Sequence, residues 1–177
     1  MSPVPQLAAG VIDANLMRRA MGRFLTGVAV VTALAADGSP HGMTLNSLTS
    51  VCLDPPILLI CISLEARTTQ AIDETGTFAV SILTPRQEPI ARRFALPGED
   101  HFAGLPLVYC NHEVPVVPQA IAHLGCSVER CVTAGDHAVV FGTPRTVCDS
   151  DRAPLGFLGG RFGDYVDRGH EPIQWFF

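Results

Sequence analysis

The sequence predicts a mainly β protein, an antiparallel barrel decorated by a few short helices. Three observations carry that expectation. Short apolar segments recur along the chain and are separated mostly by turn residues. Ala36-Asp37-Gly38-Ser39 and Ala134-Gly135-Asp136-His137 each join two such segments with residues that accept a hairpin turn. No G-x-G-x-x-G run follows a strand, so a doubly wound sheet with a dinucleotide loop is not indicated.

Taken in order, Asp13 caps a helix from Ala14 to about Phe24, with Leu16, Met17, Ala20, Met21, Phe24 and Leu25 on its apolar side and Gly27 ending it. Val28 to Leu34 and His41 to Asn46 read as a hairpin. Asp54-Pro55-Pro56 breaks the chain before Ile57 to Ile62, an unbroken apolar run expected to be buried on both faces. Thr68 or Thr69 caps a short helix that stops at Gly76, and Phe78 to Leu83 is the next strand. Thr84-Pro85-Arg86-Gln87 has capping-box spacing with proline at the first helical position, and opens a helix to about Phe94. Leu96 to Pro118 reads as irregular, Ala122 to Thr133 and Ala138 to Asp149 as two long strands, and the segment from Arg152 as a glycine-rich, aromatic tail. The total is about six or seven strands and three short helices, which suits a barrel.

The chain has 177 residues, a length that fits one domain over 1–177 with its core from about 14 to 167. Hydrophobic residues make up 47% and charged residues only 16%, so some apolar surface is expected to meet a partner subunit or a ligand. Net charge is −5, and all twelve cations are arginines without a basic cluster, which argues against nucleic acid as a partner. Met1 to Gly10 lacks the features of a signal peptide, and Ile57 to Ile62 is too short to cross a bilayer, so no membrane role is expected. The six cysteines form no C-x-x-C pair. They read as small buried hydrophobes of a reducing cytoplasm, with Cys126 and Cys131 on opposite faces of a strand and no metal site.

Five clusters could carry chemistry. Thr44-Leu45-Asn46-Ser47-Leu48-Thr49-Ser50 offers short uncharged polar groups that could line the edge of a heteroaromatic ring, or close their own turns. Ala66-Arg67-Thr68-Thr69 opens a helix and could hold a phosphate, or be ordinary capping beside a surface arginine. Arg92-Arg93-Phe94-Ala95 with Glu99-Asp100-His101-Phe102 reads as a lid over a ligand, or as a basic helix end. Gly135-Asp136-His137 places a histidine at a tight turn. Gly159-Gly160-Arg161-Phe162-Gly163-Asp164-Tyr165 could cover a ring, or be a free loop. His41, His112, His123 and His170 have no metal-like spacing and read as structural or exposed.

In order and spacing these segments resemble the flavin reductase family of two-component monooxygenase systems, over roughly Met21 to Tyr165. The residues that carry the resemblance are Phe24-Leu25-Thr26-Gly27-Val28-Ala29-Val30-Val31-Thr32, His41-Gly42-Met43-Thr44, Asn46 to Val51, Leu53-Asp54-Pro55-Pro56, Phe78-Ala79-Val80 and Gly135-Asp136-His137. The resemblance implies a split β-barrel homodimer that binds FMN or FAD and reduces it with NADH or NADPH. It also implies that reduced flavin passes to a partner monooxygenase, with diffusion alone as one route. Met43, Thr44, Asn46, Ser47, Leu48 and Thr49 would then face the flavin ring. Ala66, Arg67, Thr68 and Thr69 would hold the phosphate, and Phe94, Ala95 and Phe102 would line the phosphate side. His137 would sit near the nicotinamide, and Arg161 and Phe162 would close the site. Two positions depart from the family pattern, His123 where a tryptophan is common and Gly159 where a basic residue is common. Rival readings are a flavoenzyme of this fold that retains its flavin and acts on an organic substrate, a non-catalytic flavin- or haem-binding module, and an interaction subunit without a cofactor.

Overall fold

The architecture turns on one strand that is dry on both sides. In the computed structural model, which describes residues 11–98, 100–110 and 114–169, β2 spans Ala29–Leu34 and only its last residue is not fully buried. Val31 and Ala33 point into the barrel core with Ile60, Ile62, Phe78 and Val140. Val30, and Val28 just before the strand, join a second cluster with Leu83, Phe94 and Leu155. Alternation along a strand sends successive side chains to opposite faces, so an unbroken apolar run serves two cores at once.

Seven strands form the main antiparallel sheet, in the order β3-β2-β6-β9-β10-β5-β4. Here β3 is Pro40–Leu45, β4 Thr49–Leu53, β5 Pro56–Ser63, β6 Thr77–Ile82, β9 Ala122–Ala134 and β10 His137–Asp149. The two edge strands, β3 and β4, are joined by residues 46–48. There the Ser47 hydroxyl does the work of a missing strand: it accepts from Cys61 N–H at 3.1 Å and donates to Cys61 C=O at 2.8 Å. β4 pairs with β5 only from Leu59 to Pro56, so Ser47 extends that ladder along the seam. The mainly antiparallel β architecture with a few short helices is as the sequence predicts.

Several expectations change in detail. α1 covers Ala14–Met21 and ends at Gly22, earlier than Phe24, and Asp13 caps it by accepting from Leu16 N–H at 2.8 Å. Thr26–Gly27 is a short strand, β1, paired with β11 at Leu155–Leu158. The tail folds into a hairpin of β11 and β12 (Arg161–Asp164), because Gly159 and Gly160, at φ 58° and 81°, accept the two positive angles such a turn requires. β5 is not buried on both faces. Leu58, Ile60 and Ile62 enter the core while the residues between them are half-covered. The irregular stretch holds β7 (Val108–Cys110) and β8 (Val114–Val116), and the Thr32 hydroxyl fastens β8 by donating to Pro115 C=O. Cys126 and Cys131 share a face of β9. The pairing skips Glu129, and this extra residue restores the parity that a separation of five would break.

α2 (Arg67–Thr75) is capped at Ala66 rather than Thr68 or Thr69. Both threonines lie inside the helix, where Thr68 is buried and Thr69 donates its hydroxyl back to Ser63 C=O at 2.6 Å. The expected capping box is present: Thr84 N–H donates to Gln87 Oε1 at 3.0 Å, a short 3-10 turn follows, and α3 runs Glu88–Phe94. Glu99, His112, His170 and Met1 to Gly10 lie outside the described residues.

Gly142 faces the ring of Phe78, which a Cβ at that position would strike. Gly142→Ala should therefore destabilise the fold by about 1–3 kcal/mol. Urea denaturation checks this, and an unchanged midpoint would refute the packing account. His123 adds a pH dependence. Its Nδ1 lies 3.2 Å from the Ser81 hydroxyl, whose oxygen accepts Val117 N–H at 3.0 Å. Burial, and then the charge of Arg152, hold its pKa below the usual histidine value. The unfolded chain thus takes up the proton first. Stability is complete above about pH 6.5 and falls as pH drops from there toward the folded-state pKa. Urea midpoints measured across that window should slope for the parent and flatten for His123→Gln.

Candidate functional site

The first cleft, about 530 Å³, is walled by β3, by the start of α2 and by the segment that leaves α3. Its geometry begins at Gly42. A Cβ there would meet the Phe94 ring at 2.8 Å, so glycine lets the ring lie flush on the strand. Phe94 is buried, meets Phe102 edge-on at 5.1 Å and lies 5.1 Å from the His101 ring. His101 bridges two walls, with Nδ1 2.9 Å from Gly42 C=O and Nε2 2.7 Å from Leu96 C=O. A neutral ring donates to only one of these at a time. Arg93 donates to Ala103 C=O at 2.6 Å, and the Thr44 hydroxyl donates to Ala91 C=O at 2.7 Å. The wall after α3 is therefore tied at both ends.

The opposite wall is the start of α2. Ala66 has no side chain to cap the first-turn N–H groups, and Arg67 beside it is exposed with no ion pair among the described residues. A helix start with open donors and a spare guanidinium is suited to a phosphate. Glu65 and Asp100 also line the cleft, and Asp100 is engaged by Phe102 N–H at 3.1 Å.

Met43, Thr44, Ala66, Arg67, Thr68, Phe94, Ala95 and Phe102 are thus gathered around one cleft. The other sequence-derived positions lie elsewhere. Asn46 and Arg161 line a second cleft, and Asn46 donates to the Thr26 hydroxyl at 3.3 Å. Ser47 holds the seam, Leu48 packs on the barrel core, and Thr49 starts the exposed strand β4. Thr69 borders a third cavity of about 310 Å³ beneath α2. Phe162 packs on Phe157 at 5.4 Å, with the Arg92 guanidinium 5.1 Å above its ring. His137 is half-exposed, paired in register with Ser63, and its Nδ1 lies 2.7 Å from Asp136 Oδ1. That hydrogen bond holds the Asp136 carboxyl below the usual aspartate value. Leu64 N–H donates to Asp136 C=O at 3.0 Å, so the His137 turn is fastened one residue from Glu65 on the cleft wall.

Two histidines were not singled out as site residues. His41 reads as structural or exposed from sequence yet lines the cleft, and His101 belongs to the expected lid but had no assigned part. Spacing along the chain holds no signal for either, because β3 and the segment after α3 meet only in the folded molecule.

Comparison with known proteins gives this cleft its setting. Residues 21–165 match the family model described as flavin reductase like domain. The chain belongs to the flavin reductase family. It is 39% identical over 160 residues to an NADH-dependent flavin reductase of a Rhodococcus species, covering 87% of this chain and 90% of that one. Among solved structures, a nitrilotriacetate monooxygenase component B homolog from Mycobacterium thermoresistibile superposes with a TM-score of 0.84 at 32% identity, covering 91% of each chain. An NADH:FAD oxidoreductase of Streptomyces globisporus, in complex with NAD and FAD fragments, superposes with a TM-score of 0.82 at 37% identity, covering 92% of this chain and 100% of that one. The chain spans 50% of the length of a probable flavin reductase of Rhizobium meliloti, to which it is 36% identical over 156 residues.

If the start of α2 holds a flavin phosphate, Arg67→Ala should weaken flavin binding by about 1–3 kcal/mol through loss of a charge-assisted contact. Titration by flavin fluorescence quenching reads this directly, and equal dissociation constants would remove Arg67 from the site.

Proposed function

We propose that this flavin reductase is an NAD(P)H:flavin oxidoreductase that supplies reduced flavin to a partner monooxygenase. The observation that carries the reading is the first cleft, where a helix start without a side-chain cap, and an Arg67 that forms no ion pair among the described residues, share a lining with Phe94 and Phe102. That donor set suits a ligand with a phosphate at one end and a flat aromatic body at the other. When bound, the flavin supplies the hydride-accepting chemistry and the nicotinamide supplies the hydride. The chain's own residues bind, orient and exclude water. Arg67 and the start of α2 anchor the phosphate, while Thr44 and Met43 on β3 border the ring. His101 holds the wall after α3 against Gly42 and so limits the width of the cleft. No side chain has to change protonation in a hydride transfer.

His137, at the turn tied to the cleft wall, orients the nicotinamide in this reading. Its replacement by alanine should leave flavin affinity within about threefold and slow flavin reduction by about tenfold, close to 1.4 kcal/mol of transition-state stabilisation. Stopped-flow reduction over a range of NADH concentrations tests it, and a parental rate would exclude the role. The function itself is tested by NADH consumption with FMN and with FAD in excess. Turnover of free flavin supports the reductase, and a yellow protein that consumes no NADH would refute it.

Supply to a partner is supported by the Mycobacterium relative, a homolog of a nitrilotriacetate monooxygenase component B. Assembly as a homodimer is supported by β4, an edge strand whose Val51 and Leu53 are 45% and 63% exposed. An open edge carrying large apolar side chains is ordinarily covered. Light scattering should give about twice the chain mass for the parent and a single chain mass for Leu53→Arg. A parent that is monomeric and still binds flavin would overturn the dimer.

A further inference from the structure

The ring of His101 stands between two carbonyls. Its Nδ1 lies 2.9 Å from Gly42 C=O on β3, and its Nε2 lies 2.7 Å from Leu96 C=O just after α3. Both partners are acceptors, and neither has a proton to give. A neutral imidazole satisfies one of them and turns a bare lone pair on the other, a contact that repels at such a distance. An imidazolium donates to both. The charged ring is therefore the form that this geometry satisfies in full.

The position of the ring gives the two hydrogen bonds their consequence. Residues 96–103 form one wall of the first cleft, and among the described residues His101 makes the only hydrogen bond from that segment to β3. The other ties of the wall run to α3, from Arg93 to Ala103 C=O, or stay within the segment, from Ala103 N–H to Asp100 C=O. Charged and titratable groups approach from each neighbouring element. β3 contributes His41, whose Nε2 lies 3.3 Å from Ser39 Oγ, and Ser39 in turn donates to Asp37. The start of α2 contributes Glu65 and Arg67 to the same cleft, and the segment itself contributes Asp100, which accepts from Phe102 N–H. On α3, Arg92 is paired with Glu88 and Arg93 is engaged at Ala103. None of these carboxylates forms an ion pair with His101 among the described residues, so the two carbonyls are the groups that respond to its charge.

We propose that His101 is a titrating positioning residue, which as imidazolium pins the wall after α3 to β3 and as the neutral ring releases one of the two links. Histidine is the side chain that changes charge between about pH 5 and 8. The first cleft then stiffens as pH falls and loosens as pH rises. The proposal deepens the flavin reductase reading and rests on it for the ligand, because a pinned wall retains flavin and a released wall lets it exchange. By linkage, a ligand that favours the pinned wall takes up a proton on binding, and its affinity rises as pH falls.

Hydrogen exchange of residues 95–105 in the ligand-free protein, corrected for the intrinsic effect of pH, reads the clamp without flavin. From about pH 8 to about pH 5.5, protection of this segment should rise about fivefold in the parent, the effect of one hydrogen bond. His101→Ala should exchange fast at both ends of the range. His101→Gln keeps a donor that does not titrate, so its protection should be intermediate and flat. His41→Gln removes the other imidazole of the cleft and should keep the parent's response. Protection of β2 reports that each variant folds. Burial of His123 lowers global stability over the same fall in pH, so a general loosening has the opposite sign. FMN, titrated calorimetrically, should gain affinity over this range by about fivefold more with the parent than with His101→Ala, because ionisation of the FMN phosphate is common to both. Parent protection that does not change with pH, a response lost equally in His41→Gln, or equal FMN slopes in parent and His101→Ala would overturn the proposal. If FMN bound neither protein, the flavin reductase reading would fall, yet exchange in the free protein would still decide the clamp.

Discussion

Both faces of β2 are dry, and most of the molecule is arranged to keep them so. One face needs the barrel to close around it, which brings β5 and β10 opposite and places Phe78 against Gly142. The other needs a second layer, which α3, Leu155 of β11 and the loop through Val117 provide. The second layer builds the first cleft, because Phe94, the residue that seals it, also carries the wall that His101 and Phe102 complete. Core and cleft therefore share atoms. A change at Phe94 alters both, so packing and the shape of the cleft are coupled at that position.

The barrel's strands were legible where pattern and turn chemistry agreed. The β9–β10 hairpin follows from Gly135, which sits at φ 63° in the turn, and the helix before Phe94 follows from the Thr84–Gln87 box. Legibility failed where a long-range partner decides. Thr26–Gly27 has no strand signal of its own and is a strand only because β11 lies beside it. Two of the three capping assignments held, and the third failed because α2 begins at Arg67 with Ala66 as its cap, which leaves Thr69 inside the helix with its hydroxyl donated to Ser63 C=O. The face of Cys131 depends on one extra residue at Glu129, which parity along a single strand does not reveal.

The candidate site divides in the same way. Arg67 and its helix start were visible because that chemistry is contiguous in sequence. The polar run from Thr44 to Thr49 was visible as one cluster, but the fold distributes it among two clefts, the seam and an open strand. The arginines of α1 escaped notice because that helix was read for its apolar side. They share a cleft with Arg161 only because the β11–β12 hairpin folds against α1, a grouping that distance along the chain conceals.

The seam at Ser47 has a consequence for how the barrel breathes. The Cys61 amide is held by a side-chain oxygen rather than by a neighbouring strand, whereas amides deeper in the sheet are released only when a ladder separates. Rotation of one hydroxyl, with no strand displaced, is enough to expose it. Its hydrogen exchange therefore follows a local opening at the join of β3 and β4, with a free energy below that of global unfolding. In exchange experiments Cys61 serves as a built-in gauge of how often the slit in the barrel parts, independently of whether the rest of the sheet holds.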